Sequence, residues 1–419
     1  MKNRPRGSCL TEVLVGCLIL ALVIAGVLTL WIWVGDPAPS GTSASEKAPT
    51  PTAVPPVVTA APLPTPEPAP APVPIPETTP EPTPEPMPEP TPEPTPEPAS
   101  MDFSPAGLSA ESVVNPYCLY DYAQLRADLT ALEERYPQLI RVYTLGETAE
   151  GRPIPVFDFG RGDLEIVLIS SMHACEHIAT NVVMYLVDQY CQGYQADGEW
   201  NGVRYREILD RVKFRIMPMA NPDGIELAQK GLVAVKDPDA ILDMGYDEAH
   251  DFSDWKANIR GVDLNANFAH KWGIRDEING PCDAGWCGPS PLSEPEARAM
   301  QDLLDSTDWR LFISLHIRGE VIYWVDTDTQ DLFDVQYPIA QRLSEAFGYG
   351  LMGAEDVSDR GGYLVNTARV ETRKFCATLE LCPYVGEDPY PPELFPDVVD
   401  GIYSLFLTLG EEAIGMEAP

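Results

Sequence analysis

The rhythm of apolar and polar residues changes three times along this 419-residue chain. Residues 13–34 carry no charge, residues 35–100 have no apolar periodicity, and from about residue 101 helical and strand patterns alternate. In that last stretch Leu125, Leu129, Leu132 and Tyr136 recur at helical spacing and predict a helix over 120–136. Residues 142–145 and 154–159 read as a strand pair, 166–170 as the next strand, 178–190 as a helix with an apolar face, and 212–219 as a further strand. The last of these runs into Asn221-Pro222-Asp223-Gly224, whose Asn-Pro and Asp-Gly dipeptides predict a turn. Residues 225–260 then read as a long polar excursion and 270–294 as a second loop carrying Trp272 and Trp286. A helix over 296–304, apolar strands over 311–316 and 377–381, and a closing helix over 391–409 complete the pattern. It is that of one large α/β domain over residues 101–419.

The charge-free stretch at 13–34 is long enough, roughly 33 Å as a helix, to cross a bilayer core. Lys2, Arg4 and Arg6 precede it, which places residues 1–12 in the cytoplasm and the rest outside. A cleaved signal peptide would have a shorter apolar core, and too little apolar sequence precedes Cys17 for a lipoprotein signal. The expectation is an uncleaved transmembrane signal anchor. Residues 35–100 are rich in Pro, Ala, Thr and Glu and end in Thr-Pro-Glu-Pro repeats, a disordered stalk that cannot bury a core.

Composition narrows the functions. A net charge of -36 excludes nucleic acid as the partner, since phosphate neutralisation needs an excess of Lys and Arg. Among the nine cysteines, Cys282 with Cys287 and Cys376 with Cys382 are candidate disulfides for an extracytoplasmic domain.

Candidate chemistry gathers at strand ends. His173 and Glu176 lie three apart just after the 166–170 strand, so a tight turn aims an imidazole and a carboxylate at one point, a two-ligand zinc half-site. Taken alone, H-x-x-E is equally a polar strand end. There are only five His in the chain, and His316 closes another apolar strand as a third donor. Glu380 sits inside the apolar run Ala377-Thr378-Leu379-Glu380-Leu381, where an unpaired carboxylate is expensive without a function.

With Gly151-Arg152-Pro153-Ile154, Asn221-Pro222-Asp223-Gly224, Gly261-Val262-Asp263-Leu264-Asn265 and Pro291-Leu292-Ser293-Glu294-Pro295-Glu296 in order between and around these residues, the chain resembles the zinc carboxypeptidases over roughly residues 115–412. The resemblance implies a central mixed, mostly parallel twisted sheet flanked by helices. It implies one Zn2+ ion held by His173, Glu176 and His316, with Glu380 as general base. It further implies Asp263 behind the His173 ring and Lys256 as the cation that stabilises the oxyanion, with Arg260 as its competitor. Asn265, Arg318 and Tyr363 are the substrate-binding candidates.

One departure is informative. Family members that trim ordinary peptide C-termini carry Arg where Ala266 stands, and alanine cannot fork onto a terminal carboxylate. Either that recognition has moved, with Arg318, Arg360 or Arg369 as candidates, or the substrate is not an ordinary peptide end. The run from Trp255 to Asn265 and the run from Ser314 to Trp324 look most like the bacterial branch that cuts γ-D-glutamyl to meso-diaminopimelate bonds. The resemblance therefore implies a zinc peptidase of peptidoglycan stem peptides, held on a bacterial cell membrane by a single span. The alternatives are a metallocarboxypeptidase of ordinary peptides and an inert module that binds wall peptides.

Overall fold

The computed structural model describes residues 111–416 except 275–277, 357–360, 385–388 and 392–393. The expected membrane anchor and stalk, and Arg360, lie outside the described residues. Among the described residues no helix is long and apolar enough to cross a membrane.

Helix α1 (Tyr122–Arg135) begins where the Asp121 side chain accepts from the Gln124 amide, and leads into strands β1 (Ile140–Glu147), β2 (Pro153–Gly160) and β3 (Leu164–Ser170). Helix α2 (Ile178–Gln195), the small hairpin β4 (Glu199–Trp200) and β5 (Val203–Arg204), and helix α3 (Tyr205–Leu209) carry the chain to β6 (Val212–Met217). Helices α4 (Pro222–Lys230) and α5 (Pro238–Leu242) follow, then a long loop region, α6 (Pro295–Asp305), β7 (Trp309–His316) and β8 (Val321–Tyr323). The chain ends through α7 (Phe333–Phe347), β9 (Gly350–Met352), α8 (Leu364–Thr372), β10 (Phe375–Glu380), α9 (Phe395–Ile402) and α10 (Leu405–Gly415).

The main sheet runs β1-β2-β6-β3-β7-β10-β8-β9. Its centre, β6-β3-β7-β10, is parallel, and both flanks contain antiparallel pairs. Side chains alternate across it as strand geometry requires. Ile166 and Leu168 enter one core with α1, α2, α7, α9 and α10, while Val167 and Ile169 enter the other with α6 and α8. Helices on both faces explain why the central strands read as apolar runs. This is the expected α/β class with a mixed sheet.

Four expectations change. Asn221-Pro222-Asp223-Gly224 opens α4: the Asn221 side chain accepts from the Gly224 amide and Pro222 takes the first helical position. Asn and Pro favour helix starts as strongly as turns. The supposed polar excursion over 225–260 is accordingly helical in its first part. The closing helix divides into α9 and α10, and the carbonyl of Tyr403 at the break accepts the Tyr190 hydroxyl. Neither candidate disulfide is formed. Cys376 belongs to the α6/α8 core, whereas Cys382, which follows the end of β10, belongs to the opposite one, so the sheet lies between them; the Cys282 thiol donates to the Ala284 carbonyl.

Arg369 does not reach the site. It is 1% exposed, paired with Asp326 at 2.8 Å, and donates to the Cys376 carbonyl. Removing one partner of a buried pair strands the other, so Arg369→Ala is expected to destabilise the fold by about 3–5 kcal/mol. Denaturant midpoints would show this.

Candidate active site

Three neighbouring parallel strands end at one place. Ser170 of β3 lies opposite Leu315 of β7, and Glu380 of β10 lies opposite His316. Register alone therefore sets His316 and Glu380 side by side, just beyond the end of β3. Past Ser171, which turns the chain at φ 54°, His173 leads into a short 3-10 turn over Ala174–Glu176. That turn is stitched to a second loop: the Ala174 amide donates to the Lys256 carbonyl at 3.1 Å and the Cys175 amide to the Trp255 carbonyl at 2.8 Å. The Asn221 side-chain Nδ2 also donates to the carbonyls of Met172 and Ala257.

His173 Nδ1 lies 2.9 Å from one oxygen of Glu176 and His316 Nδ1 lies 2.9 Å from the other. One donor atom from each of the three falls within 4.8 Å of the others. His316 Nε2 is buried and has no hydrogen-bond partner, so the ring acts through Nδ1. His173 Nε2 faces Asp263 Oδ1 at 3.3 Å, and Asp263 is held in turn by the amides of Asn265 and Gly285. Two imidazoles and a carboxylate on one point, with a carboxylate behind one ring, fit a catalytic zinc ion. The remaining histidines are engaged elsewhere: His177 lines a separate cavity, His250 packs on Tyr246 and Phe252, and His270 pairs with Asp328. Asp263→Asn is expected to weaken zinc binding about 10–100-fold by competition with a chelating dye.

A cavity of roughly 150 Å³ opens over these groups, lined also by Lys256, Asn265, Arg318, Tyr323, Tyr363, Asn366, Thr378 and Glu380. His173, Glu176, Lys256, Asn265, His316, Arg318, Tyr363 and Glu380, all expected from sequence, border it, and Asp263 stands behind His173. Arg260 is absent from the lining; it is half exposed and faces Glu294. Tyr323, Asn366 and Ile317 were not foreseen. Tyr323 sits opposite Thr378 across the β8–β10 pair, and Asn366 is three residues from Tyr363 on α8, so only tertiary pairing reveals them. A larger groove, about 700 Å³, lies between α3 and α10, but its Arg204 and Arg206 pair with Asp197 and no metal-ligating set converges there.

Burial, then the nearby Glu176 charge, pushes the Glu380 carboxyl up to about 8, against the pull of His173, Lys256 and Arg318. Burial works against the charged form of Glu176 too, but the two histidines hold it well below the usual carboxylate range. Against burial, Glu176 and then Asp263 raise His173 to about 10, whereas burial lowers His316. Burial raises the Cys175 thiol to about 12, which makes it a packing group.

Beside the cavity, Ala266 borders a small recess of about 70 Å³ shared with Asp263, Gly361 and Tyr363. Gly362, at φ +76°, lies so close that a Cβ would sit 2.1 Å from the Ala266 carbonyl oxygen. The two loops interlock there: the Phe268 amide donates to Gly362 and the Gly362 amide to His270.

Such a donor set beside a buried glutamate fits metal-dependent hydrolysis. The chain belongs to the zinc carboxypeptidase family, whose family model matches residues 125–360. The gamma-D-glutamyl-L-diamino acid endopeptidase 1 of Lysinibacillus sphaericus is 31% identical over 255 residues, which is 60% of this chain and 62% of that protein. The chain thus spans less than two thirds of that relative's length. Carboxypeptidase B of Astacus astacus is 28% identical over 232 residues, 51% of this chain and 66% of the crayfish protein. In fold, the chain is similar to bovine thrombin-activatable fibrinolysis inhibitor in complex with tick carboxypeptidase inhibitor, at 19% identity and a TM-score of 0.57, covering 72% of this chain and 99% of that one.

Proposed function

We propose that this chain is a membrane-anchored, extracytoplasmic zinc peptidase that hydrolyses peptidoglycan stem peptides at the γ-D-glutamyl–meso-diaminopimelate bond. Hydrolysis rests on one observation, the convergence of His173, Glu176 and His316 with Glu380 in a single cavity. The substrate class is supported by the likeness to the Lysinibacillus endopeptidase and by Ala266 in place of a carboxylate-binding arginine. The anchor and stalk read from residues 13–100 suit a substrate that lies outside the membrane.

Held by His173, Glu176 and His316, zinc supplies the Lewis acidity that makes water a usable nucleophile near neutral pH. Glu380, ionised once a dication stands beside it, accepts a proton from the attacking water and delivers it to the leaving amine. Lys256 stabilises the negative charge that develops on the scissile carbonyl oxygen, as a point charge rather than a fork. Asp263 fixes the tautomer and orientation of His173.

The test is full-length, zinc-loaded protein in detergent, incubated with L-Ala-γ-D-Glu-meso-diaminopimelate and with a panel of ordinary peptides, products read by mass spectrometry. Release of diaminopimelate from the first alone is the expected result. Trimming of the ordinary peptides instead would make the chain a metallocarboxypeptidase like the crayfish protein, and cleavage of neither would make it a binding module.

A further inference from the structure

We propose that Arg318 is the receptor for the free α-carboxylate that a γ-linked glutamyl residue presents on the acyl side of the scissile bond. The assignment rests on the hydrolytic reading above and adds the group that distinguishes this linkage from an ordinary peptide bond.

The first observation is where the backbone is unusual. Arg318, Gly319 and Glu320 have φ of 143°, 126° and 51°, three successive residues in a region that side-chain-bearing residues rarely adopt. They follow directly on His316. Both sides of this bend are tied to the strand end that carries Glu380: the Leu381 amide donates to the His316 carbonyl at 2.9 Å, and the Gly319 amide donates to the Cys382 carbonyl at 2.6 Å. The Gly350 amide holds the Glu320 carbonyl on the other side. Glycine would take the φ of residue 318 without strain, as it does at 319. Strained arginine backbone, fixed at three points beside a metal ligand and a general base, indicates that the side chain is kept for its chemistry.

The second observation is where that side chain stands. Arg318 lines the cavity with His316 and Glu380, and its Nη2 nitrogen is shut off from solvent. It does not border the recess at Ala266, which Tyr363 shares with the main cavity. The Ala266 side is where family members that trim C-termini hold the carboxylate of the leaving residue. Arg318, on the β7 end, therefore faces the other partner of the bond, the acyl residue.

Substrate chemistry matches this placement. An α-linked peptide has no carboxylate on the acyl residue's backbone beside the scissile carbonyl. In a γ-glutamyl linkage the scissile carbonyl belongs to the side chain, and the α-carboxylate remains free at the end of a short aliphatic stem. A planar guanidinium takes such a carboxylate in two parallel hydrogen bonds. Lys256 remains available for the developing oxyanion, so each cation in the lining has its own anion.

The test compares L-Ala-γ-D-Glu-meso-diaminopimelate with two analogues: one with the glutamyl α-carboxylate converted to the carboxamide, and one with the diaminopimelate terminal carboxylate amidated. Full-length wild type, Arg318→Gln and Arg318→Gly are assayed with each. Binding of the same peptides to zinc-loaded Glu380→Gln and to the Glu380→Gln/Arg318→Gln pair is measured by calorimetry. Wild type is expected to favour the free α-carboxylate over its carboxamide by on the order of 10–100-fold in kcat/KM. Both Arg318 variants should bring the acid down to the level of the carboxamide, so that the ratio of the two kcat/KM values falls to about one. The calorimetric preference should vanish in the same way, and the melting temperature of Arg318→Gly should equal or exceed that of wild type. The proposal fails if the preference survives in both variants, if acid and carboxamide fall together, or if the sensitivity follows the diaminopimelate carboxylate instead. Wild type that cleaves only ordinary α-linked peptides would overturn the substrate reading itself, and the acyl-side assignment with it.

Discussion

Glu380→Gln is expected to lower kcat by about 10²–10⁴-fold while the protein still binds one zinc ion. Glutamine keeps the shape of the side chain and loses its ability to take a proton, and Glu380 is absent from the His-Glu-His donor set. Zinc content and substrate affinity should therefore stay near wild type, and the loss should appear in kcat. The same substitution has a second consequence, visible without any substrate. A carboxyl that titrates near 4.3 in the unfolded chain and near 8 in the fold keeps its proton longer when folded. The folded state then binds the extra proton across that window, so the stability of zinc-free wild type declines as pH rises from about 4.5 to 8. Glutamine removes the decline. Zinc-free Glu380→Gln should gain on wild type by on the order of a few kcal/mol at pH 8 and by nothing below pH 4. Parallel denaturant titrations at the two pH values would decide it, and equal slopes would refute the burial argument for this glutamate.

His316→Ala should abolish hydrolysis together with the thermal stabilisation that zinc confers. A ligand at a thousand times its dissociation constant stabilises a fold by about 4 kcal/mol, and removing one of three protein ligands removes most of that. The wild-type site should also release protons when it takes zinc, because ligands bind in their deprotonated forms. With His173 raised to about 10, that ring is charged in the zinc-free protein at pH 7, whereas His316 is already neutral and Glu176 already ionised. Glu380, near 8, is mostly protonated at pH 7 and loses its proton as a dication arrives beside it. Calorimetry in buffers of different ionisation enthalpy should thus find about two protons released at pH 7 by wild type and about one by Glu380→Gln. Zinc affinity should fall as the solution is made more acidic.

The reactive centre could be read from the chain because each of its residues breaks a local rule. Glu380 interrupts an apolar strand, His316 ends one, and His173 and Glu176 follow one. Parallel strands that begin in the core end at a common edge, so strand ends identified separately converge in space. What failed were readings that depend on which face or which partner a residue meets. Cys376 and Cys382 are close along the chain and on opposite sides of the sheet. Arg369 looked available for a carboxylate until Asp326, 43 residues away, proved to hold it. Asn221-Pro222 carries the chemistry of a turn and of a helix start alike, and packing against Met172 and Ala257 selects the second. Tyr323 and Asn366 border the cavity because β8 pairs with β10 and α8 starts just after Tyr363, and neither relation leaves a mark in local sequence.

The register of β3, β7 and β10 acts as a ruler. Two of the groups assigned to hydrolysis, His316 and Glu380, are spaced by the pairing of β7 with β10 in the middle of the sheet, where local opening costs most. Lys256, Asn265 and Tyr363 stand instead on segments without strand pairing, joined by loop-to-loop backbone hydrogen bonds and the close approach at Gly362. Glu380 and Arg318 thus share one support at the strand ends, and Lys256 depends on another. Partial unfolding should therefore release the loop-borne groups before it parts His316, Glu380 and the Arg318 bend, and amide hydrogen exchange over 255–267 should run ahead of that in β7 and β10.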